Sequence, residues 1–394
     1  MAPFLEVNQL ACRFSAQPVL KDLSFTLAQQ EIACLLGPSG CGKTTLLQAI
    51  AGFIPLSHGQ IRLQGCLLST PNGLVAPEQR KIGMVFQDYA LFPHLTVRDN
   101  IRFGLHHLHH SRQQQQAIID EMLELVQIPA LAGQYPHQLS YGQKQRVALA
   151  RALASQPRLL LMDEPFSSLD TPLKHVLYEE IRAILHAKQI TALIVTHDKN
   201  EAFALSDNIG LLLQHHIVQW DKPAALFNNP ASPDVARFLG REQAIHGVVA
   251  TPDQIKTELG LIRLPPERQP WHSGTPLTVF LSPEEIALHK STRLAQGKII
   301  QKVFMGAASL YTLRLSSGLQ LRARPTNGDD FQIGEQVGVQ IAARYLVAFP
   351  RGEVVPEQFV QTPQRVTSAA CYSGTLNGTT HKGAALNETR WSGR

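Results

Sequence analysis

No apolar segment in this 394-residue sequence reaches the roughly 18 residues that a membrane-spanning helix requires. The N-terminus lacks the basic cluster and apolar stretch of a secretory signal. The five cysteines are odd in number and form no CxxC or CxC pair, which argues against a disulfide framework or zinc site and for reduced thiols in a cytosol. Charged residues make up only 17%, and the net charge of +5 fits anionic partners without identifying one.

Residues 1 to about 240 alternate short apolar segments with helical ones. Apolar runs of this length are typical of strands buried on both faces of a parallel sheet, so the pattern predicts an α/β domain. The predicted strands are 31–36, 81–86, 158–163 and 191–196, and the predicted helices are 43–51, 111–126, 143–155 and 172–188.

Beyond residue 240 the pattern changes to strands and turns. Residues 310–315 and 319–324 flank Ser-Ser-Gly and predict a β-hairpin, because apolar and polar residues alternate along the second segment. Residues 277–281 and 337–341 are further candidate strands. We expect a small β-rich domain over 241–350, followed by a tail, 351–394, with no stable fold of its own.

A complete phosphate-loop motif, GxxxxGK[ST], occupies residues 37–44 between a predicted strand and a predicted helix. Its glycines allow several backbone N–H groups to face one point, and the helix start adds positive potential there. A lysine supplies charge to the β- and γ-phosphates, and a hydroxyl can bind Mg²⁺. The candidate nucleotide-binding residues are Gly37, Pro38, Ser39, Gly40, Cys41, Gly42, Lys43, Thr44 and Thr45, with Thr44 also a candidate Mg²⁺ ligand.

Two adjacent acids, Asp163 and Glu164, follow the predicted strand 158–163. In a chain with a phosphate loop, Asp163 is expected to hold Mg²⁺ through its water shell. Glu164 is the candidate general base for attack on the γ-phosphate. The alternative is a solvated acidic turn before Pro165.

The segment Leu139-Ser-Tyr-Gly-Gln143 resembles the LSGGQ signature of ATP-binding cassette (ABC) ATPases, some 20 residues before the acidic pair, as in that family. Other family elements occur in order and extend the resemblance over residues 4 to about 240. They are Phe14, which matches the aromatic residue on adenine, Gln87 of the Q-loop, Asp170 of the D-loop and the switch histidine His197.

The resemblance implies a P-loop NTPase fold that binds ATP and Mg²⁺. It implies that Gln87 binds Mg²⁺ and that His197 contacts the γ-phosphate, so that Gln87, Glu164 and His197 form the catalytic set. It also implies a homodimer, in which Ser140, Gly142, Gln143 and Asp170 act on the nucleotide of the opposite subunit. Tyr141 departs from the family pattern, where glycine stands, and either crowds this contact or adds a hydroxyl donor.

One cassette without a membrane span resembles the family members that serve two separate permease subunits and a periplasmic or extracellular substrate-binding protein. Such a subunit lies peripherally at the cytoplasmic face of the bacterial inner membrane. Residues 89–94 match the segment that grips the permease, although its apolar residues also fit an ordinary core. The β-rich region, with Ser282-Pro-Glu-Glu285, resembles a TOBE domain, which favours import over export.

The resemblance is closest to bacterial ferric-ion importers, on the segments 132–139 and 259–265 and on the short C-terminal domain. Sulfate, polyamine and sugar importers remain alternatives, because this subunit does not touch the solute. Four histidines in the segment 106–110 suggest a metal site, but without acidic or cysteine partners a solvated surface is the favoured interpretation. Cys41 raises a further hypothesis, that oxidation of its thiol inhibits the ATPase.

Two rival functional classes fit the sequence less well than the transporter hypothesis. A soluble ABC ATPase acting on nucleic acid or ribosomes is disfavoured, because the chain has one phosphate loop, no long insertion and no concentrated basic segment; we expect no nucleic-acid partner. A P-loop GTPase or kinase is disfavoured because there is no NKxD motif and LSYGQ has no role in such enzymes.

Overall fold

The computed structural model describes residues 2–14, 17–167, 171–264, 271–291, 294–306, 308–325 and 329–351; for residues 14, 17 and 171–173 it describes the backbone alone. The predicted D-loop residue Asp170 lies outside these ranges, as does the predicted tail apart from Arg351.

The first region contains the elements that alternate along the chain. Its strands are β1 (Leu5–Phe14), β2 (Gln17–Leu27), β3 (Ile32–Leu36), β4 (His58–Leu63), β5 (Cys66–Thr70), β6 (Gly73–Leu74), β7 (Ile82–Val85), β8 (Leu159–Asp163), β9 (Thr191–Thr196), β10 (Asn208–Leu213) and β11 (His216–Asp221). Its helices are α1 (Lys43–Ala51), α2 (Val97–Phe103), α3 (Arg112–Leu125), α4 (Tyr141–Ala154), α5 (Thr171–Ala187), α6 (Lys199–Leu205), α7 (Pro223–Asn228) and α8 (Pro233–Phe238).

A mostly parallel sheet forms the centre of this region, with strand order β11-β10-β3-β9-β8-β7. Strands β10, β3, β9, β8 and β7 run parallel, and β11 closes one edge antiparallel. The register pairs Leu36 with Thr196 and Asp163 with Val195. The phosphate loop, the acidic pair and His197 therefore all leave the sheet at its carboxyl edge.

Side chains of the parallel strands alternate between two apolar cores. On β3, Ile32, Cys34 and Leu36 pack against helices α2 to α6, whereas Ala33 and Leu35 face α1 and a second sheet. This second sheet is antiparallel, with order β2-β1-β4-β5-β6. It was not predicted from the sequence, because bulges interrupt the register of β1 and obscure the alternation of its apolar residues.

The second region is all β in its described part, apart from one short 3₁₀ turn at Pro283–Glu285. Its strands are β12 (Gln243–Thr251), β13 (Gln254–Thr257), β14 (Gly260–Arg263), β15 (Pro276–Leu281), β16 (Ile286–His289), β17 (Ala295–Phe304), β18 (Ser309–Leu315), β19 (Gln320–Ala323), β20 (Gln336–Ile341) and β21 (Val347–Pro350). They form two five-stranded sheets, β14-β13-β12-β15-β21 and β16-β20-β17-β18-β19, that enclose a common apolar core. The predicted hairpin is confirmed as antiparallel β18 and β19.

The predicted helices and strands are present, with ends shifted by one or two residues. One shift matters for the site: α4 begins at Tyr141, not at Gln143 as predicted, because Ser140 is its N-cap. Gly142 and Gln143 therefore lie inside the first turn. Among the described residues, no helix combines the length and apolar character needed to cross a bilayer.

Candidate functional site

The phosphate loop joins the fully buried strand β3 to helix α1. The Lys43 side chain is buried, and its ammonium group donates to the carbonyl oxygens of Gly37 at 2.8 Å and Pro38 at 2.9 Å. These bonds fold the lysine back over its own loop. A cation therefore lies at the start of α1, where the helix already favours an anion.

Two glycines of this loop fulfil separate steric requirements. Gly42, the N-cap of α1, has φ of 103°, and a Cβ there would lie 2.5 Å from Leu20 Cδ2. A Cβ on Gly37 would lie 2.4 Å from the carbonyl oxygen of Leu212. Any side chain at either position would displace the loop, because only glycine meets the backbone and packing demands together.

Thr44 and Asp163 meet although 119 residues separate them. The Thr44 hydroxyl donates to Asp163 Oδ1 at 3.0 Å. Burial raises the pKa of Asp163, and the hydrogen bond from Thr44 opposes that shift. A hydroxyl beside a desolvated carboxylate oxygen is a donor set that suits a hard cation such as Mg²⁺.

Glu164 and His197 are also in contact, at the next position along the same edge. His197 Nδ1 lies 3.1 Å from Glu164 Oε2, and the glutamate is the less exposed of the two side chains. Glu164 adopts φ of 42°, an unusual backbone conformation for a residue other than glycine, and its N–H donates to the carbonyl of Val195 at 2.9 Å. The strained conformation turns the carboxylate toward the histidine loop.

The other predicted residues are placed less completely. Gln87 is exposed and follows β7, two positions after Val85, which pairs with Met162 of β8. It therefore lies at the same edge as the acidic pair. Pro38, Ser39, Gly40 and Thr45 lie in the phosphate loop and the first turn of α1 as predicted. The backbone of Phe14 ends β1, and its side chain is not among those described.

The signature segment forms the N-terminus of α4. The Ser140 hydroxyl accepts from Gln143 N–H at 3.3 Å, and the Gln143 side-chain oxygen accepts from Ser140 N–H at 2.9 Å. This reciprocal pair is a capping box. Tyr141 is 58% exposed, and the Lys144 ammonium group lies 5.1 Å from its ring centroid. A cleft of about 290 Å³ adjoins this turn, lined by Gln127, Ile128, Leu131, Ser140, Gly142, Gln143, Arg146 and Leu177.

Two polar residues behind the histidine were missed by the sequence analysis. Thr196 and Glu201 are both buried, and the threonine hydroxyl donates to Glu201 Oε2 at 2.8 Å. A signal was present in the sequence: Glu201 shares with Ala202 and Leu205 the spacing that places residues on the apolar face of a helix. A charged residue on such a face deserves a chemical explanation.

The segment 89–94 combines a fixed backbone with accessible rings. Buried Asn100 bonds to three carbonyls, including that of Phe92, and Arg151 donates to the carbonyls of Tyr89 and Ala90. Phe92 packs 4.4 Å from Phe103, centroid to centroid, and Phe103 is 48% exposed. Side chains of Asn100 and Arg151 therefore fix the backbone of the segment, and the rings of Phe92 and Phe103 form an apolar surface beside it.

The two sequence hypotheses about metal and thiol chemistry are not favoured. Within the described ranges, no three or more histidine, cysteine, aspartate or glutamate side chains are grouped to hold a metal, and His106, His107 and His109 are exposed. Cys41 is buried, and burial raises its thiol pKa despite the opposing charge of Lys43. A protonated, enclosed thiol is a poor target for oxidation.

Two family models match the chain. The ABC transporter family model matches residues 20–167, and the TOBE domain model matches residues 279–349. The solved structure of CbiO1 from Clostridium perfringens, part of the ABC transporter complex CbiONQ, has a TM-score of 0.54 and 27% identity, covering 58% of this chain and 92% of its own.

Relatives with three different solutes in their names are similarly close. The Fe(3+) ions import ATP-binding protein FbpC 2 of Haemophilus influenzae is 37% identical over 343 residues, covering 86% of this chain and 95% of that protein. The spermidine/putrescine import protein PotA of Pseudomonas fluorescens is 38% identical, with the same two coverages. The sulfate/thiosulfate import protein CysA 2 of Chromobacterium violaceum is 38% identical, covering 89% and 96%.

Each of these relatives is an import ATP-binding protein, and the match covers nearly the whole length of that relative. The chain therefore belongs to the ATP-binding subunits of ABC importers, with an ABC ATPase domain of P-loop NTPase fold followed by a TOBE domain.

Proposed function

We propose that this chain hydrolyses ATP at the carboxyl edge of its parallel sheet, and that this hydrolysis drives uptake of ferric ion through a separate permease. One observation carries the catalytic part of the proposal. The edge brings Lys43, the Thr44–Asp163 pair and the Glu164–His197 pair to consecutive strand ends. Charge, cation ligands and a base are the parts that phosphoryl transfer to water needs.

The residues present fit ATP and Mg²⁺. The positive φ of Gly40 and Gly42 turns the loop so that backbone N–H groups line it, and Lys43 lies at its centre. Thr44, Asp163 and Gln87 would hold Mg²⁺, which when bound neutralises charge on the β- and γ-phosphates. Phe14 would stack on adenine.

In hydrolysis, Glu164 orients the attacking water and accepts its proton on a carboxylate oxygen. His197 contacts the Glu164 carboxylate through Nδ1 and would present its other ring nitrogen to the γ-phosphate. Lys43 stabilises the charge that develops on the phosphoryl oxygens. The water oxygen ends on phosphate, and ADP leaves with the bridging oxygen.

The exposed start of α4 supports a role in trans. The capped turn at Ser140 is a helix start with the exposed Tyr141 beside it, and helix starts bind anions. We propose that it meets the γ-phosphate on a second copy of the chain, through Ser140, Gly142 and Gln143, with Asp170 nearby. Tyr141 projects from the same turn and would add its hydroxyl to this contact rather than crowd it, because its ring already leans on Lys144.

Surface chemistry supports a partner in the membrane. The ring surface of Phe92 and Phe103 fits an apolar helix. We assign this surface to the contact with the permease, which would have two subunits. The subunit would then act at the cytoplasmic face of the inner membrane, with a substrate-binding protein on the other side and no nucleic acid. The chain would comprise an ATPase domain, 1–240, a regulatory domain, 241–350, and a tail, 351–394.

Ferric ion as the solute is supported by the similarity to the Haemophilus import protein, and polyamine and sulfate are the alternatives that other relatives raise. The deciding experiment reconstitutes the chain with its permease in liposomes and measures ATPase stimulation by candidate binding proteins. Stimulation by a ferric-loaded binding protein, and not by spermidine- or sulfate-loaded ones, is expected. Stimulation by either of the other two would assign a different solute and would leave the proposed hydrolytic site unchanged.

A further inference from the structure

A carboxylic acid is buried directly behind the loop that carries His197. Glu201, on α6, is 1% exposed. One of its oxygens accepts from the Thr196 hydroxyl at 2.8 Å. Among the described groups, its other oxygen, Oε1, has no hydrogen-bond partner. A carboxylate so enclosed and so sparsely bonded is costly unless it is neutral.

Thr196 connects this acid to the candidate site. Its hydroxyl oxygen also accepts from Asp198 N–H at 3.0 Å, and its carbonyl accepts from Gly37 N–H at 3.3 Å. His197 lies between Thr196 and Asp198, the two residues that this hydroxyl bond joins. The threonine therefore joins the first residue of the phosphate loop, the histidine loop and the buried acid.

The charges around Glu201 favour its neutral form. Two acids face it: Asp198, the N-cap of the same helix α6, and Glu164, which follows β8. Lys174 of α5 is bonded to Asp198 at 3.4 Å rather than to Glu201. Cys34 of β3 and Tyr178 of α5 are also close; burial first, and the charge of Glu201 after it, raise the pKa of both groups. Burial first, and the two acids after it, raise the pKa of Glu201 to about 8, against the Thr196 bond and Lys174.

We infer that Glu201 is a positioning residue for hydrolysis: as a neutral acid it fixes Thr196, and through Thr196 the loop that presents His197 to Glu164. The inference rests on the role proposed above for that pair. Ionisation of Glu201 places an unpaired charge in a dry pocket beside two other acids, so water must enter or the loop must move. The histidine then leaves its contact, and turnover falls while nucleotide binding at the phosphate loop continues.

The test measures kcat and ATP affinity of the full-length chain from pH 6 to 9.5. Glu201→Gln keeps an oxygen that accepts from Thr196 and cannot ionise, so it should match the parent at pH 7. The parent should lose kcat as the pH passes 8, and Glu201→Gln should keep it. Glu179→Gln, at an exposed position on α5, is the matched control and should follow the parent throughout.

Glu201→Ala adds a second measurement. Without an acceptor for Thr196, kcat should fall on the order of tenfold at all pH values, with the dissociation constant for ATP unchanged. An alkaline loss of kcat in Glu201→Gln identical to that of the parent would overturn the inference, even if the alanine variant does not fold. His197→Ala separates the two proposals: if it hydrolyses ATP at the parental rate, the proposed site itself is wrong.

Discussion

The two regions of the molecule handle polar groups in opposite ways. In the first region, parallel strands end at one edge, so the phosphate loop with Lys43 meets the adjacent acids Asp163 and Glu164 although it is distant from them in sequence. In the second region, antiparallel strands put successive turns at alternate ends, and the enclosed core is apolar. Its ion pair between Lys302 and Asp330 lies toward solvent.

This contrast indicates where a phosphate site can form in such a chain. A parallel sheet gathers loops at its carboxyl edge, and active sites in open α/β folds occur there. The turns of the antiparallel sheets lie at both ends of the strands, so the second region does not gather its loops at one edge. The following substitutions test this contrast, in decreasing order of their predicted consequence.

Glu164→Gln should have the largest effect. The amide keeps the size of the side chain and cannot accept a proton, so turnover should fall by about 10²–10⁴-fold. ATP binding should be retained, and the variant should form a stable dimer with ATP and Mg²⁺. Single-turnover kinetics and sedimentation measure the two expectations.

Glu284→Gln, which removes an exposed acid paired with Arg324 in the second region, is its control and should hydrolyse ATP at the parental rate. Turnover by Glu164→Gln at that same rate would show that the base has been assigned to the wrong residue.

Lys43→Ala should reduce ATP affinity on the order of a hundredfold, because it removes a charged donor to the phosphates. Lys302→Ala removes a lysine of the second region and should leave affinity unchanged. Isothermal titration with a non-hydrolysable ATP analogue measures both. Equal losses in the two variants would erase the distinction between the regions.

Arg241→Ala tests the connection between the regions. Its guanidinium group is buried, lies 4.2 Å from the Phe227 ring centroid and pairs with Glu285 of the second region at 2.9 Å. Removing it leaves Glu285 without this partner and should lower the free energy of unfolding by about 2 kcal/mol, since the glutamate keeps some access to water. Thermal unfolding measures the loss, and ATP affinity of the folded protein should be unchanged. A fall in ATP affinity at a temperature where the variant is fully folded would contradict this separation.

Asp330→Asn should have the smallest effect. Hydrogen bonds from Lys302 and then Tyr311 lower the pKa of Asp330 below its ordinary value of 3.8. Its contribution to stability is therefore complete above pH 3.8 and disappears as the pH falls through the lower folded value. The difference in melting temperature between parent and variant should be slight at pH 7 and should vanish in stronger acid. A difference that grows on acidification would reverse the assigned sign.

Sequence patterns predicted the regular parts of the fold and named most residues of the candidate site. The phosphate loop, the acidic pair and His197 were recognisable because each combines an apolar strand with a fixed local motif. The antiparallel sheet of β1 to β6 was not predicted, because bulges break its periodicity. Glu201 was missed for a different reason: its importance depends on burial and on the Thr196 contact, which arise only when α6 packs behind β9.

The reciprocal bonds between Ser140 and Gln143 have a consequence for assembly. They order the start of α4 in the isolated chain, before any second molecule is present. An anion that arrives at this turn meets backbone that is already fixed, because the entropy of ordering it has been lost during folding instead. If two copies of the chain meet at this turn as proposed, neither has to order it on association.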